Sequence, residues 1–479
     1  MRKILLATTL LGVASPALSG PIMDGLLGSA SYTAKSEIVI DGIETYEGFE
    51  ITRRDNLIVA EKLVIHEEGG QVHLQITGTD FFSAGKNVGG VTSVSASFDP
   101  SLRDTMLSMH KKGADHPLFG EMIDRESCKD LDLPMSVEAE GFLLDDERQS
   151  RIEIGTMSVN YDISDAAGDC IVEIGSHFEN LKHDGANGFL VEVDKIELNG
   201  RGSVLTAAAP ANLADVYTAQ GEIEKLSVSM NGVEQFSVDR IFTESASDAS
   251  LTAALVETGY FTAVNDLAKS DGSASVQEIV PMSQVASIWN ALRTGDTRNS
   301  FGVENARITG EMPMAMTGLP VFAAGRSLDL SVQTNKEDAA VEVILDVNSD
   351  ALVDLGLSMS LLMTELDPGM GDMHPSALMM SAPVSISGVG IKFIDEGIGD
   401  LVADMTGFDL YQEVPSMAAG ALGPQKAEKI GTWLSAAKNG GAYFMATPSA
   451  PLPVMQAFVG FMGDWDAFGN MINGRSAMP

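Results

Sequence analysis

The stretch "LVDLGLSMSLLM" (residues 352–363) places Leu355, Leu357, Met359, Leu361 and Met363 on one side of an extended chain. The other side carries mainly small or polar residues. Successive side chains of a β-strand point to opposite faces, so this alternation predicts a strand with one apolar face. That face either covers a filled core or lines a groove for an apolar ligand, and the alternation itself is compatible with both.

The same alternation continues on both sides of this stretch. It predicts strands over "RSLDLSVQT" (326–334), "AAVEVILDV" (339–347) and "APVSISGVGIKFID" (382–395). Apolar residues then recur at helical spacing in "DEGIGDLVADMTG" (395–407), "GPQKAEKIGTWLSAAKNGG" (423–441) and "PVMQAFVGFMGDWDAF" (453–468). We therefore expect a β-meander followed by a helical C-terminal region.

A short phrase recurs in the first half of the chain: apolar, acidic, basic, apolar, any, apolar. It occurs as "AEKLVI" (60–65), "VDKIEL" (193–198), "IEKLSV" (223–228) and, less regularly, "VDRIFT" (238–243). We interpret these phrases as strands that alternate between two faces, in irregular copies of one hairpin, although any amphipathic strand gives a similar pattern. Turns are predicted at "HEEGG" after the first copy and at Asn199-Gly200 and Asn231-Gly232.

A helical insert is predicted near 249–293, between two β-rich regions. Residues 249–268 have helical spacing with Asp248 as the cap, and residues 279–293 repeat it, with Pro281 in the first turn. The fold class is thus mainly β (α+β), with long antiparallel meander sheets and, if the groove interpretation holds, curvature around an apolar groove. The predicted division is a signal peptide (1–19), an N-terminal antiparallel β domain (20–245), a helical connector (246–295) and a C-terminal β-meander with helices (296–479).

The N-terminus has the features of a secretory signal. Arg2 and Lys3 precede an apolar run from residue 4 to residue 13, and Ala17-Leu18-Ser19 fits cleavage after Ser19. A retained interfacial anchor is the alternative. We expect a protein of the periplasm, or a secreted one, with no transmembrane anchor after signal cleavage, because the longest later uncharged run contains three prolines.

The net charge limits the classes of binding partner, and the cysteine content predicts a disulfide. A net charge of −37 repels phosphate backbones, so we expect no nucleic-acid partner. Cys128 and Cys170 are the only cysteines. Two cysteines in an oxidising compartment most often pair, so a disulfide is expected, with two buried free thiols as the alternative.

The C-terminal tract resembles the AsmA-like and YdgA-like periplasmic β-rich envelope proteins of proteobacteria, over about residues 325–460. The resemblance rests on "LDLSVQT…VEVILDVNSDALVDLGLSMSLLM", on "GVGIKFIDEGIGDLVADM" with its Asp395-Glu396-Gly397, and on "GAYFMATPSAPLPV". It implies long curved sheets whose apolar face holds lipid tails, or a scaffold role in the cell envelope, and no catalytic residues. This chain departs from many such proteins in its lack of a retained membrane helix. We expect Asp395 to cap the helix that follows and Gly397 to relieve the turn.

The sequence contains no G-x-S-x-G elbow, no P-loop and no H-E-x-x-H motif, and we expect no catalysis, no cofactor and no metal. His66 and His73 flank one predicted turn, where a solvated pair is expected rather than a metal site. Methionines cluster in "EMPMAMTG" (311–318) and "GMGDMHPSALMM" (369–380), and thioethers are ligands that select Cu(I). Methionine also fills irregular apolar surfaces.

Three functions remain open on the sequence. The chain is expected to bind lipid or another apolar ligand in a β-sheet groove, with residues 355, 357, 359, 361 and 363 on the ligand face. One alternative is a structural or partner-binding envelope protein with a filled core. The other is a periplasmic Cu(I) binder that uses the methionine-rich segments.

Overall fold

The fold is mainly β, with long antiparallel strands in meander order and helices near the C-terminus, as predicted. The computed structural model describes residues 32–53, 56–99, 134–146, 150–166, 169–203, 217–248, 282–308, 326–350, 352–366, 384–454 and 475–477, and a few single positions between them. By contacts the chain divides into unit 1, residues 1–206 and 220–233, and unit 2, residues 207–219 and 234–479. The predicted division into signal peptide, N-terminal β domain, helical connector and C-terminal β-meander concerns separately folding segments. It stays a prediction.

Unit 1 is built from strands that pair antiparallel with their neighbours. Its strands are β1 (Tyr32–Thr33), β2 (Ser36–Ile40), β3 (Ile43–Arg53), β4 (Asn56–Glu68), β5 (Gln71–Ser83), β6 (Lys86–Phe98), β7 (Met135–Asp146), β8 (Ser150–Ala166), β9 (Asp169–Gly185), β10 (Phe189–Ser203) and most of β11 (Tyr217–Met230). Its core lies on one face of β3–β6, where the following residues are buried together: Tyr46, Phe49, Ala60, Leu63, Ile65, Val72, Ile76 and Phe98. Among the described residues of unit 1, no α-helix covers this sheet.

Every second strand from β3 to β13 contains a residue with φ between 50° and 65°, which we call the kink row. Its members are Gly48, Gly78, Gly141, Asn180 and Lys225 in unit 1, and Asn305 in unit 2. The strand register continues through these positions, but the residues there are not themselves paired: Lys62 pairs with Thr77 and Ala60 with Thr79, and Glu61 and Gly78 are passed over together. Such irregularities bend strands and increase their twist.

The kink row explains the repeated phrase and corrects one expectation about it. Ala60 and Leu63 are three residues apart and belong to opposite faces of a regular strand, yet both are buried in the same cluster. The acidic and basic residues between them, Glu61 and Lys62, are both exposed. Strict alternation is therefore wrong at this point, because the kink shifts the phase and keeps the apolar residues on one face.

Two of the three predicted turns are confirmed. Gly69 and Gly70 connect β4 to β5, and Asn231-Gly232 connects β11 to β12 with φ of 52° and 77°. The prediction at Asn199-Gly200 is wrong. Both residues lie inside β10 and pair with Gly175 and Ile174 of β9, because the long neighbouring strand continues past them.

Unit 2 contains both strands and helices, and most of them lie at the sequence positions where they were predicted. Its strands are β12 (Val233–Ser247), β13 (Thr297–Ile308), β14 (Leu328–Glu337), β15 (Ala340–Ser349), β16 (Val353–Met363), β17 (Val384–Asp395), β18 (Ala442–Ala446), β19 (Leu452–Pro453) and β20 (Arg475–Ala477). Its helices are α1 (Met282–Leu292), α2 (Ile398–Thr406), α3 (Leu410–Leu422) and α4 (Pro424–Lys438). Of the helix predicted at 453–468, only the first turn lies in the described residues.

Helix α3 was missed because its interior contains Pro415, a residue that normally interrupts helices. Two features support the helix around it. The Asp409 carboxylate accepts hydrogen bonds from the backbone N–H groups of Tyr411 (2.8 Å) and Gln412 (3.3 Å). The Pro415 ring faces Gly431 of α4, where the lack of a side chain leaves room for it.

The predicted helical insert is confirmed where it is described. Leu251 and Leu255 are helical and pack against Ala291 of α1. Asp248 caps this first helix, since its carboxylate accepts a hydrogen bond from the Leu251 N–H at 3.1 Å. The same side chain also accepts from the Asp296 N–H at 2.9 Å, which ties the beginning of the insert to its end.

Candidate apolar site on the sheet of unit 2

The five residues singled out in the sequence lie on β16, in the centre of a four-strand apolar face. In the observed register Leu357 pairs with Leu345 of β15 and with Ile391 of β17, and Met359 pairs with Val343 and Val389. Directly paired residues share a face of the sheet. We call this surface the unit 2 apolar face; its members are Leu330, Val332, Val341, Val343, Leu345, Val347, Leu355, Leu357, Met359, Leu361, Met363, Val384, Ile386, Val389, Ile391 and Phe393.

A β-bulge keeps β17 on this face. Ser360 pairs with Gly388 and Leu361 with Ile386, so Ser387 is an extra residue in β17. Without it, Ile386 and Val389 would point to opposite faces, since they are three residues apart. The bulge explains why sequence alternation in 382–395 is less clear than in 353–363.

The unit 2 apolar face is half-buried. Leu355, Leu357, Leu361 and Met363 are all partly accessible, and Met359 is 39 % exposed. None of the five has the burial of the unit 1 core, where Tyr46 is fully inaccessible. The surface around Met359 is therefore apolar and in part open to solvent.

Helix α1 contacts the chain where β16 ends, beside Met363. The Trp289 indole N–H donates to the carbonyl of Thr364 at 2.9 Å, and the Arg293 guanidinium donates to the carbonyl of Met363 at 3.1 Å. The Asn290 side chain pairs with both backbone groups of Leu366, at 2.7 and 2.9 Å. These bonds fix α1 at one end of the face.

Lys336 lies at the same end, in line with Val341 and Leu361, and is 8 % exposed. Its ammonium donates to the carbonyls of Thr294 and Asp338 at 3.1 Å and to that of Gly295. Burial lowers the pKa of Lys336, while the nearby carboxylates of Asp248, Asp296 and Asp338 act to raise it. The Lys336 ammonium thus satisfies three backbone carbonyl groups, two of them directly after α1. It is therefore not available to bind a lipid headgroup.

Helix α4 and the Asp395 turn bound the other end of the face. Trp433 of α4 stacks on Phe393, with ring centroids 5.8 Å apart. The Asp395 carboxylate accepts from the N–H groups of Gly397 (2.7 Å) and Gly399 (3.2 Å), so the predicted capping role is confirmed. Gly397 has φ of 146°, a backbone conformation in which a residue with a side chain would be strained.

The opposite face of the same strands is polar. Asp354 of β16 and Lys392 of β17 form an ion pair at 2.5 Å. The hydrogen bond that the Lys392 ammonium donates to the Asp354 carboxylate raises the pKa of Lys392. The neighbouring positions Ser358, Ser360 and Gly390 carry little or no apolar surface. The sheet is therefore two-sided in this region: one face is apolar, and the other is mainly polar, with Ile344 and Leu362 as apolar exceptions.

The remaining sequence predictions divide into those the structure describes and those it does not. His66 and His73 do face each other across the β4–β5 hairpin, with rings stacked at 5.1 Å. No cluster of three or more metal-ligating side chains occurs among the described residues. The signal peptide, both methionine-rich segments and Cys128 lie outside the described residues, so the disulfide with Cys170 of β9 and the Cu(I) site stay predictions.

Comparisons with known proteins add no assignment. No model of a known protein family matches the chain, and neither does any curated protein. Within the part of the chain that the structure describes, no helix is long and apolar enough to cross a membrane. The functional argument therefore rests on the chemistry of the surfaces.

Proposed function

We propose that the chain is a non-enzymatic protein of the bacterial cell envelope that binds a lipid tail or another apolar ligand on the unit 2 apolar face. The observation that carries this proposal is the half-exposed centre of that face around Leu357 and Met359. Contiguous apolar surface open to solvent is costly, and it marks binding sites in proteins that keep it. The secretory signal and the resemblance to AsmA-like proteins favour the periplasm as the location.

The chemistry of the face suits a flexible hydrocarbon. Its members are mainly branched aliphatic residues, and Met359 and Met363 add thioether side chains that adapt to ligands of irregular shape. An acyl chain gains about 0.8 kcal/mol for each methylene that it buries. A micromolar Kd corresponds to about 8 kcal/mol, which is the gain from about ten fully buried methylenes, so a long acyl chain is needed to reach it.

Charge favours a lipid with an uncharged headgroup. The chain carries a net charge of −37, and Lys336, at one end of the face, is already bonded to backbone carbonyls. Arg293, at the same end, donates to Met363 and pairs with Glu365 at 3.5 Å. An anionic headgroup would meet net repulsion, so a neutral ester should bind better than the corresponding carboxylate.

A structural, partner-binding role is the second candidate. It is favoured by the contacts at both ends of the face, where α1 and α4 pack as the second layer of a filled core would. In that case Leu357 supports stability rather than ligand binding. The two candidates differ in what a charge at this position does.

Leu357→Asp separates them. On a half-exposed ligand surface the new carboxylate stays hydrated, so the fold survives and uptake of a fluorescent fatty acid methyl ester falls at least tenfold. In a filled core the unpaired charge costs several kcal/mol and unfolds unit 2. Tryptophan fluorescence reports on unit 2, because Trp289, Trp433 and Trp465 all belong to it.

Ser358→Asp is the matched control, since Ser358 is exposed on the polar face of the same strand. It should change neither the melting temperature nor the uptake. A wild-type protein that takes up neither the ester nor the free fatty acid, together with an unfolded Leu357→Asp variant, would rule out ligand binding in favour of the structural role.

A further inference from the structure

Unit 1 contains an apolar cavity that the sequence did not reveal. Its volume is about 250 Å³, and it lies where the hairpins β4–β5 and β5–β6 approach β7. Leu57, Phe81, Phe82, Phe142 and Leu144 form most of its wall. It shares no residue with the core cluster around Tyr46.

A glycine of β6, Gly89, lies next to the cavity without being part of its lining. Gly89 of β6 pairs with Phe81 of β5 and with Leu144 of β7. Both of these paired residues project large apolar groups, while Gly89 contributes none. A Cβ on Gly89 would lie 2.1 Å from the carbonyl oxygen of Leu143, so the backbones of β6 and β7 approach closely beside the cavity.

Two aromatic rings in the cavity lining lie close to each other. Phe81 and Phe142 lie with ring centroids 6.3 Å apart and planes tilted by 49°. Phe142 follows Gly141 of the kink row, whose φ of 65° sets the direction in which the strand continues. The kink in β7 therefore positions one wall of the cavity.

We propose that this cavity is a second ligand site, and that it takes an uncharged aromatic or alkyl molecule of about ten carbon atoms. A cavity of about 150 Å³ lined by Leu, Ile and Phe is large enough for benzene, so 250 Å³ accommodates a ring with a short alkyl substituent. Among the residues that the structure describes, the only charged group in the lining is the carboxylate of Asp145, which is exposed at the rim beside Asn56 and Ser83. This rim disfavours an anionic ligand. The inference does not depend on the function proposed for unit 2.

Binding of n-butylbenzene to the full chain tests the site, with 4-phenylbutyrate as the anionic analogue of similar size. When free n-butylbenzene exceeds its Kd about tenfold, the melting temperature followed by far-UV circular dichroism should rise by on the order of 2–4 °C. The anionic analogue at the same concentration should produce less than a quarter of this shift. Hydrogen exchange should show added protection at the ends of β4–β7, whether or not β14–β17 are protected as well.

Val88→Phe places a ring in the cavity and should abolish the shift. Val39→Phe is the matched control, because Val39 lies in β2, away from the cavity, and is 51 % exposed. If Val88→Phe fails to fold, Ser83→Leu fills the space from the rim instead. A wild-type protein without a shift overturns the proposal, as does a filled variant that responds like the wild type. Protection confined to β14–β17 also overturns it, while leaving the unit 2 proposal intact.

Discussion

At the scale of single residues, Asp395 has the most clearly defined task. Its carboxylate is 8 % exposed and accepts two backbone N–H groups at the beginning of α2. The backbone of the same turn is fixed from the other side, because the N–H groups of Glu396 and Ile398 both donate to the carbonyl of Leu352, at 2.9 and 3.0 Å. Asp395 therefore links the end of the apolar β17 to the helices that follow it.

Replacement of Asp395 should destabilise unit 2. Asp395→Ala leaves two backbone donors without an acceptor, one of them buried, and should cost about 2–3 kcal/mol in the free energy of unfolding. Urea unfolding followed by tryptophan fluorescence measures it. Asp404→Ala, on the exposed side of α2, should change stability by less than about 0.5 kcal/mol. Equal effects of the two variants would show that the Asp395 contacts are energetically unimportant.

The role of Asp395 was predictable because helix capping is local in sequence. The buried state of Lys336 was not, because it depends on carbonyls about 40 positions away at the end of α1. Nothing in the sequence around Lys336 distinguishes it from an exposed strand lysine. Interactions between residues close in sequence can thus be predicted from the sequence. Contacts between residues far apart in sequence, which only the fold brings together, cannot.

At the scale of elements, the kink row organises the sheet of unit 1. Its positive-φ positions are filled by Gly or Asn in all strands but β11, where Lys225 stands. At Gly78 the φ of 61° is the constraint, because a side chain is strained in this conformation, whereas the Glu61 side chain that an added Cβ would meet at 2.6 Å is exposed and can move. The row therefore requires a small residue or one that tolerates the left-handed conformation.

The same substitution should have opposite signs at two glycines. Gly78→Ala introduces a Cβ at φ of 61° and should destabilise unit 1 by about 1–2 kcal/mol, measured by circular dichroism. Gly420→Ala lies on the exposed side of α3 with no atom within 4 Å of the new Cβ. It should stabilise unit 2 by about 0.5–1 kcal/mol, because alanine is the better helix former. Stabilisation by Gly78→Ala would contradict the kink row.

The elements themselves were largely predictable, and the kinks were not. Strands β14, β15, β16 and β17 follow from alternation, since half-buried strands carry that signal directly. In β3, β4 and β5 the kink shifts by one residue which side chains are buried, so simple alternation is broken there. The phrase "AEKLVI" contained the signal, because Ala60 and Leu63 frame two exposed charges, but a regular strand was the simpler interpretation.

At the scale of the whole molecule, acidity and one-sided sheets occur together. The exposed positions carry most of the acidic residues, while both units keep apolar residues on one face of long strands. A net charge of −37 keeps such a molecule from associating through its apolar surface. This combination suits a protein that must expose apolar surface to a small ligand without aggregating.

The central claim is that the unit 2 apolar face carries an apolar ligand, and native mass spectrometry of the protein purified from its own host tests it most directly. The account predicts a species heavier than the mature chain by the mass of one lipid, with the adduct lost in Leu357→Asp and retained in Ser358→Asp. The contradicting result is a wild-type protein that appears only at the mass of the bare chain, or one whose adduct survives unchanged in Leu357→Asp.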